Sequence, residues 1–452
     1  MSLNIEQIKS DIDSIARSLG IKKYDVFGSA KEESSASAKN KKPFGLNSAS
    51  KSYLLVRVWN DKQQAGVTST SNLTYAGLTD ALILAHSSAE YASTENIYNF
   101  SEYCQDSTEN MQISNNQENK ITMQDLVEKC IAAESKILDH SPIFKSVPYN
   151  KVGDSFSKRF YFNSLGAFKI SENNIAYCYF FPLAQETNKI AREAGHISIS
   201  KGFKNLNVID CADKAIKKTE NHLDYINIKS GKYKTIFSPE AFLDLLYAFG
   251  NFLNAQNILD KKSLLNIENL NTQIASSILN LSDSPLHVEN PDPCHFDEEG
   301  TLTKNIDIIQ EGKLITFLHS SFTAQKFNTK STGHCHLGSK LTISPYFLHV
   351  SKNHKIHIDQ EFSLNQENNA IYVENVKALH AGVNALQGSF SLPFDGFFIK
   401  DGKKTSIESA TVAGDFLTLL SNIIYIDDNE TVTHKGISPN IWIKELSVTG
   451  NS

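Results

Sequence analysis

Ile5, Ile8, Ile12, Ile15 and Leu19 recur at intervals of three and four, the spacing of one helix face, and Gly20 stands where such a helix would end. The pattern then changes to strands. Tyr24 to Lys39 is one, and Ser52 to Trp59 is a stronger one that Asn60-Asp61 turns back through Gly66 to Thr70. A second helix is expected from Thr74 to Ala92, with Leu78, Leu82, Ala85 and Ala89 on one face. Residues 93–121 are rich in Asn, Gln and Ser and read as a long connection. A third helix, Met123 to Leu138, carries Leu126, Cys130 and Ile131 as its apolar stripe. Strands follow at Phe156–Phe162, Ala167–Ile170, Ala176–Phe181 and Ile197–Ser200, with Asn163 to Gly166 as a turn, and a helix from Cys211 to Leu223 closes this half. The order predicts helices packed on one broad, largely antiparallel sheet.

The second half opens with a strand, Tyr233–Phe237, and then Ser238-Pro239-Glu240, a helix cap followed by proline at the first helical position. The next stretch, AFLDLLYAFGNFLNAQN, is apolar almost all round, with only Asp244, Asn251 and Asn254 on a narrow polar stripe. It predicts one buried central helix. Short strands follow at Leu314–His319, Tyr346–Val350, Ala370–Val373 and Gly396–Ile399, and Asp401-Gly402 is a hairpin turn. The division this suggests is 1–225 and 226–452.

Composition narrows the function classes. A net charge of −6 and a pI near 6.2 give no electrostatic reason to expect a nucleic-acid surface. The densest basic run, Lys39-Asn40-Lys41-Lys42 before Pro43, reads as a solvated loop. No run of about 18 apolar residues occurs, so no membrane span is expected, and the N-terminus has no apolar signal core. Six scattered cysteines without a CxxC pair suit reduced thiols in the cytoplasm.

One stretch looks like chemical equipment: Lys330-Ser331-Thr332-Gly333-His334-Cys335-His336. On a strand His334 and His336 would face one side and Cys335 the other. Such a pair supplies two metal ligands, and His319 or Cys294-His295 would have to supply a third. A Cys335 nucleophile would need an electropositive setting beside either histidine. The bland alternative is a loop in which Ser, Thr and Gly serve backbone turning. His354 and His357 read as an exposed pair, and Asp297-Glu298-Glu299 before Gly300 as a turn with calcium binding as a remote option. No GxSxG elbow, P-loop or GxGxxG is present.

Four segments in order carry a family resemblance: FSPEAFLDLL, then FDEEG (Phe296–Gly300) with DIIQEGKL, then KSTGH, then E-x-x-T-V-A-G-D from Glu408 to Asp415. Together with the N-terminal hairpin and helix they make nearly the whole chain resemble the TldD/PmbA family. The resemblance implies an α+β chain: an N-terminal sheet-and-helix domain followed by a β-rich, barrel-like C-terminal domain with a buried central helix. TldD-like members are zinc peptidases with HExxxH on that helix and a cysteine ligand near the C-terminus. PmbA/TldE-like members lack these ligands and pair with a TldD-like subunit. The family is associated with cytoplasmic proteolysis of unfolded peptides and with the label of DNA gyrase modulator.

A hydrolytic zinc needs about three protein ligands, an open position for water, and a base. No histidine here is followed by glutamate, and the central helix has no histidine. Aligned through Ser238-Pro239-Glu240, the family's His, Glu and His fall on Tyr247, Ala248 and Phe252, and no cysteine follows Cys335. The resemblance therefore implies a PmbA/TldE-like, non-catalytic chain with no cofactor. Family membership and lost ligands point opposite ways on enzymatic activity. Expected partners are a TldD-like zinc peptidase subunit or a second copy, with unfolded peptide as substrate. Tyr247, Asn251, Lys330, Ser331, Thr332, Gly333 and His334 are the residues expected to face partner or substrate. The competing readings are a metal- or thiol-dependent hydrolase built on His334, Cys335 and His336, and a homodimeric peptide-binding protein.

Overall fold

A computed structural model describes residues 3–92, 99–105, 121–337, 341–357 and 362–451. Most of the expected 93–121 connection (residues 93–98 and 106–120) lies outside the described residues. The chain is α+β. All strands of its first sheet come from residues 23–201, in the order β3-β2-β1-β4-β5-β7, with β6 also on β5. These are β1 (Lys23–Lys39), β2 (Lys42–Trp59), β3 (Ala65–Thr70), β4 (Phe144–Asn163), β5 (Phe168–Ala184), β6 (Arg192–Glu193) and β7 (His196–Lys201). Every pairing among them is antiparallel.

Four helices cover one face of this sheet: α1 (Ile5–Ser18), α2 (Tyr75–Ala89), α3 (Met123–His140) and α4 (Val208–Glu220). Each starts on a side-chain cap that satisfies an otherwise orphan N–H: Asn4, Thr74, Thr122 and Asn207. Ile5, Ile8, Ile12 and Ile15 of α1 pack with Leu78 and Leu82 of α2 against Val26, Leu54, Val56 and Phe162. Farther along the same face, Leu126, Cys130, Cys211 and Ala215 of α3 and α4 pack on Ala36, Val152, Cys178 and Phe180. The strands are longer than the periodicity suggested because their polar middle stretches alternate weakly while still pairing. The basic run at 39–42 is the tip of the β1–β2 hairpin. Asn40 and Lys41 both adopt positive φ, 54° and 61°, as a two-residue turn requires. Their N–H groups donate to the Glu134 carboxylate of α3 at 3.1 and 2.8 Å.

In the second half, strands 370–376, 231–237, 441–450, 410–415 and 389–400 pair in succession, and 389–400 pairs back to 370–376. This closes a β-barrel, as the resemblance implied. A separate sheet contains 279–283, 306–310, 348–352 and 436–438.

The central helix departs from expectation. It is α5, Pro239–Ala248, followed by a 3-10 turn at 250–252 and a short helix α6, Ala255–Leu259. The polar stripe explains the break. Asn254 is a helix cap, its side chain accepting from the N–H groups of Gln256 and Asn257, so it starts a new helix instead of interrupting an old one. Leu314–His319 is likewise not a strand beyond Leu314. Only an isolated bridge joins Leu318 to Asn254.

The uncovered face of the first sheet meets the second half through Arg57. Its guanidinium donates to both oxygens of Asp25, at 2.8 and 2.5 Å, and to Glu299 at 2.9 Å, and all three side chains are at most 2% exposed. Replacing Arg57 with Met would leave two buried carboxylates unpaired. The expected loss is about 3–5 kcal/mol of unfolding free energy, read from denaturant midpoints.

Candidate functional site: a cleft over the central helix and the loops beside it

The motif loops are fastened to each other. In FDEEG, Asp297 accepts N–H bonds from Glu299 and Thr301 at 3.0 and 2.9 Å, and from Cys335 at 3.1 Å. Glu299 takes Arg57 together with the Ser321 hydroxyl and N–H, both at 2.8 Å. Glu298 takes the Leu337 N–H at 2.5 Å. The three carboxylates thus diverge onto separate partners, which argues against a shared calcium. Gly300 and Gly333 have φ of 75°, and a Cβ at Gly333 would come within 2.9 Å of the Leu302 carbonyl oxygen, so this crossing needs glycine.

The KSTGHCH stretch is mostly interior. Lys330 is exposed, with its ammonium 5.6 Å from the Tyr103 ring centre. Ser331, Thr332, Gly333 and His334 are buried. His334 Nε2 lies 2.7 Å from Asp283 and its Nδ1 2.9 Å from the Thr332 hydroxyl. The other Asp283 oxygen accepts N–H bonds from Tyr346 and Phe347 at 3.0 and 2.7 Å. His334 and His336 do share a side, each ring centre 5.3 Å from that of Tyr346. No group of three His, Cys, Asp or Glu suited to a metal occurs among the described residues. Burial and the carboxylates of Glu299 and Asp297 push the Cys335 thiol up, the reverse of what a thiolate nucleophile needs. His354 and His357 are exposed.

The second element is a cleft of about 320 Å³ where α5 approaches the far edge of the first sheet. Phe181 of β5, Ile197 of β7 and Gly195 just before that strand line one side, and Glu240 and Asp244 of α5 with Val376 the other. Its charges are mostly paired: Glu240 with Lys218 at 3.3 Å, Asp395 with Lys377 at 2.7 Å, and Asp244 with Lys435. Glu193 also lines it; burial, more than the nearby Asp395, raises its carboxyl above the ordinary range. His434 lines it too, held toward the neutral form first by burial and then by Lys435. Asp244 stood out in the sequence as the one charge within an apolar helix, whereas Glu193 and His434 carried no signal, because only the tertiary fold brings them here.

Tyr247 sits one turn along α5 from Asp244. Its hydroxyl donates to the Lys435 carbonyl at 2.8 Å and accepts from the Leu348 N–H at 3.4 Å. Burial, with Asp283 next, raises its phenol well above the usual range. Tyr247 and the His334 loop therefore meet around Asp283. Asn251 is elsewhere, donating to the carbonyls of Ala385 and Lys262 at 3.1 and 3.2 Å. Ala248 is partly open, while Phe252 is fully buried, its ring centre 5.2 Å from that of Phe416. The cleft has an apolar wall and mostly paired charges, and Tyr247 is fixed on the same helix outside its lining.

Known proteins resemble this chain along most of its length. Residues 116–223 match the PmbA/TldA metallopeptidase central domain and residues 230–450 the PmbA/TldA metallopeptidase C-terminal domain. The metalloprotease PmbA homolog of Buchnera aphidicola (Baizongia pistaciae) is 24% identical over 307 residues, 67% of this chain and 66% of that protein. Metalloprotease PmbA of Escherichia coli O157:H7 is 25% identical over 245 residues, 53% and 50% of the two. The chain thus spans between half and two thirds of the length of these curated relatives. The crystal structure of TldE from Thermococcus kodakarensis superposes with a TM-score of 0.84 at 19% identity, covering 97% of this chain and 100% of that one. A Thermotoga maritima protein named for modulation of a DNA gyrase gives 0.86 at 23%, covering 99% and 100%. At these identities the two structures establish the fold.

One buried imidazole, His319, and one half-buried, His336, give this region a pH signature. Burial pushes His319 and His336 down to about 4, with His334 and Arg159 as the respective next contributors. The unfolded chain takes up these protons near pH 6.5 and the folded chain only near 4, so stability should fall as pH drops through that interval. Each imidazole adds up to about 1.4 kcal/mol per pH unit. Denaturant titrations between pH 7 and pH 4 should show the slope, and His336→Asn should make it shallower. His334→Ala should cost about 1–3 kcal/mol by stranding Asp283, with metal content unchanged.

Proposed function

We propose, from the premise that this chain belongs to the PmbA/TldD metallopeptidase family, that it is a non-catalytic PmbA/TldE-like subunit. It shapes a peptide-holding chamber for a TldD-like zinc peptidase acting on unfolded peptides. The observation that carries the reading is the central helix. Where the resemblance puts two histidine ligands and a base, α5 and the turn after it carry Tyr247, Ala248 and the buried Phe252. Tyr247 is committed to the Lys435 and Leu348 backbone, and the following 3-10 turn ends the helix before the third position. The cleft beside it supports a holding role, since its paired charges and apolar wall suit an extended chain more than a reaction. The six cysteines are all unpaired and buried, which supports placement in the reducing cytoplasm. No helix among the described residues is long and apolar enough to cross a membrane.

The rival hydrolase at His334, Cys335 and His336 loses support from the burial of the first two and the raised thiol. Metal analysis and peptidase assay of the purified chain, alone and with an HExxxH-bearing chain of the family, test the proposal. The expected result is no stoichiometric zinc and no cleavage alone, with stable association and cleavage in the mixture. About one zinc per chain with cleavage of unfolded peptide by this chain alone would overturn it. A homodimer that ignores the HExxxH chain would leave only the binding role.

A further inference from the structure

We propose that the outer edge of β2, over residues 42–53, is a docking edge for an extended, carboxylate-bearing polypeptide strand. β2 pairs along its whole length with β1 on its inner side. On the outer side β3 covers only Leu54–Trp59, and no other strand among the described residues pairs there. Twelve residues of strand, roughly 40 Å at the ordinary rise, therefore present their alternate N–H and C=O groups outward. Folded proteins usually blunt such an edge with prolines, bulges or closely spaced charges. Pro43 and a bulge at Phe44 blunt only the hairpin end of this edge; from Gly45 to Ser50 it reads GLNSAS with none of these, and the stretch exposes Phe44 at 68% and Leu46 at 59%.

Two observations select the occupant. Along this edge β2 carries Lys42 and Lys51 and no acidic residue, Arg57 farther along being buried and paired with Asp25 and Glu299. The adjoining tip adds Lys39 and Lys41, of which Lys41 is neutralised by Asp139 at 2.5 Å. Pairing two copies through this edge would set cationic strands side by side with no carboxylate between them, whereas a strand bearing Asp or Glu answers the charge. The free edge also ends in a groove of about 720 Å³, lined by Tyr53, Leu55, Val67, Ser69, Thr70 and Leu337. An incoming strand would lie in line with β3 and run its end into that groove, beside Leu337. Backbone pairing supplies affinity with little regard to sequence, and the lysines and groove bias it.

This inference rests on the peptide-holding reading, and hydrogen exchange separates the two. The probe is a twelve-residue peptide of alternating Val or Thr and Glu, added to the full chain. Binding should slow exchange at alternate amides within residues 42–53. Lys42→Glu with Lys51→Glu should weaken the acidic peptide about fivefold and strengthen a Lys-for-Glu peptide. Binding that protects only the cleft at Phe181 and Asp244 would overturn the edge assignment and leave the holding role intact. Protection of 42–53 without peptide, growing with protein concentration, would overturn the peptide occupant in favour of a second copy. Failure of every peptide to bind, alone or with the HExxxH chain, would remove both readings.

Discussion

Arg57 is a full positive charge buried where two halves of the molecule meet, and its surroundings are arranged to keep it there. Taking a guanidinium out of water costs several kcal/mol, which only close, well-directed partners offset. Asp25 answers it across the β1–β2 ladder, since the two are register partners, and Glu299 answers it from the FDEEG loop of the other half. The remaining polar atoms are also met: the Tyr161 hydroxyl donates to Asp25 at 3.1 Å and Ser321 to Glu299. Burial still raises the Asp25 carboxyl despite the adjacent cation. It also fixes register. A slip of one residue between β1 and β2 would turn Arg57 toward Leu54 and Val56 and the helices that cover them. The position of the hairpin tip and of the free β2 edge follows from that single pairing.

The same reasoning changes what the motif residues mean. FDEEG and KSTGH were visible in the sequence as dense groups of carboxylates and imidazoles, and such groups suggest chemistry. In the fold each group points away from the others. Asp297 folds its own loop and holds Cys335, Glu299 reaches the first sheet, and His334 bridges Thr332 and Asp283. The residues are dense because several chain segments cross there and every crossing leaves backbone groups to satisfy. Their spacing marks a junction.

Helices α1 to α4, the β2–β3 hairpin and the Asp401-Gly402 turn were legible because local rules decide them: apolar periodicity, capping side chains and residues that accept positive φ. The long β1–β2 hairpin was not, since its tip reads as a solvated loop and residues 42–51 alternate too weakly to mark a strand. The barrel was not visible in any one strand, since its closure depends on 389–400 returning to 370–376, and only the family resemblance supplied it. The cleft was the least legible part. Glu193, Glu240, Lys377 and His434 are scattered over some 240 positions of sequence and share no local pattern. Among the candidate residues, Tyr247 and His334 converge on Asp283, while Asn251 does not, because the helix ends between Tyr247 and Asn251.

That ending bears on whether the site could be catalytic by a small change. An HExxxH motif fixes its ligands by the geometry of one continuous helix, with the second histidine five positions beyond the first. Here the regular helix stops at Ala248, and Phe249 opens a 3-10 turn. Phe249 stacks on Phe416 at 4.3 Å, and Phe252 packs edge-on to the same ring at 5.2 Å. A histidine at 252 would enter this aromatic cluster instead of the cleft, and its imidazole would be buried without a partner. Restoring His and Glu at 247 and 248 alone would supply one ligand and a base with no second helical ligand to complete them. Aromatic packing thus stands at the position where the resemblance puts the second histidine. On the proposed reading this chain works through surfaces that hold and present a polypeptide, and the wall of the cleft and the open edge of β2 both belong to the first sheet whose register Arg57 secures.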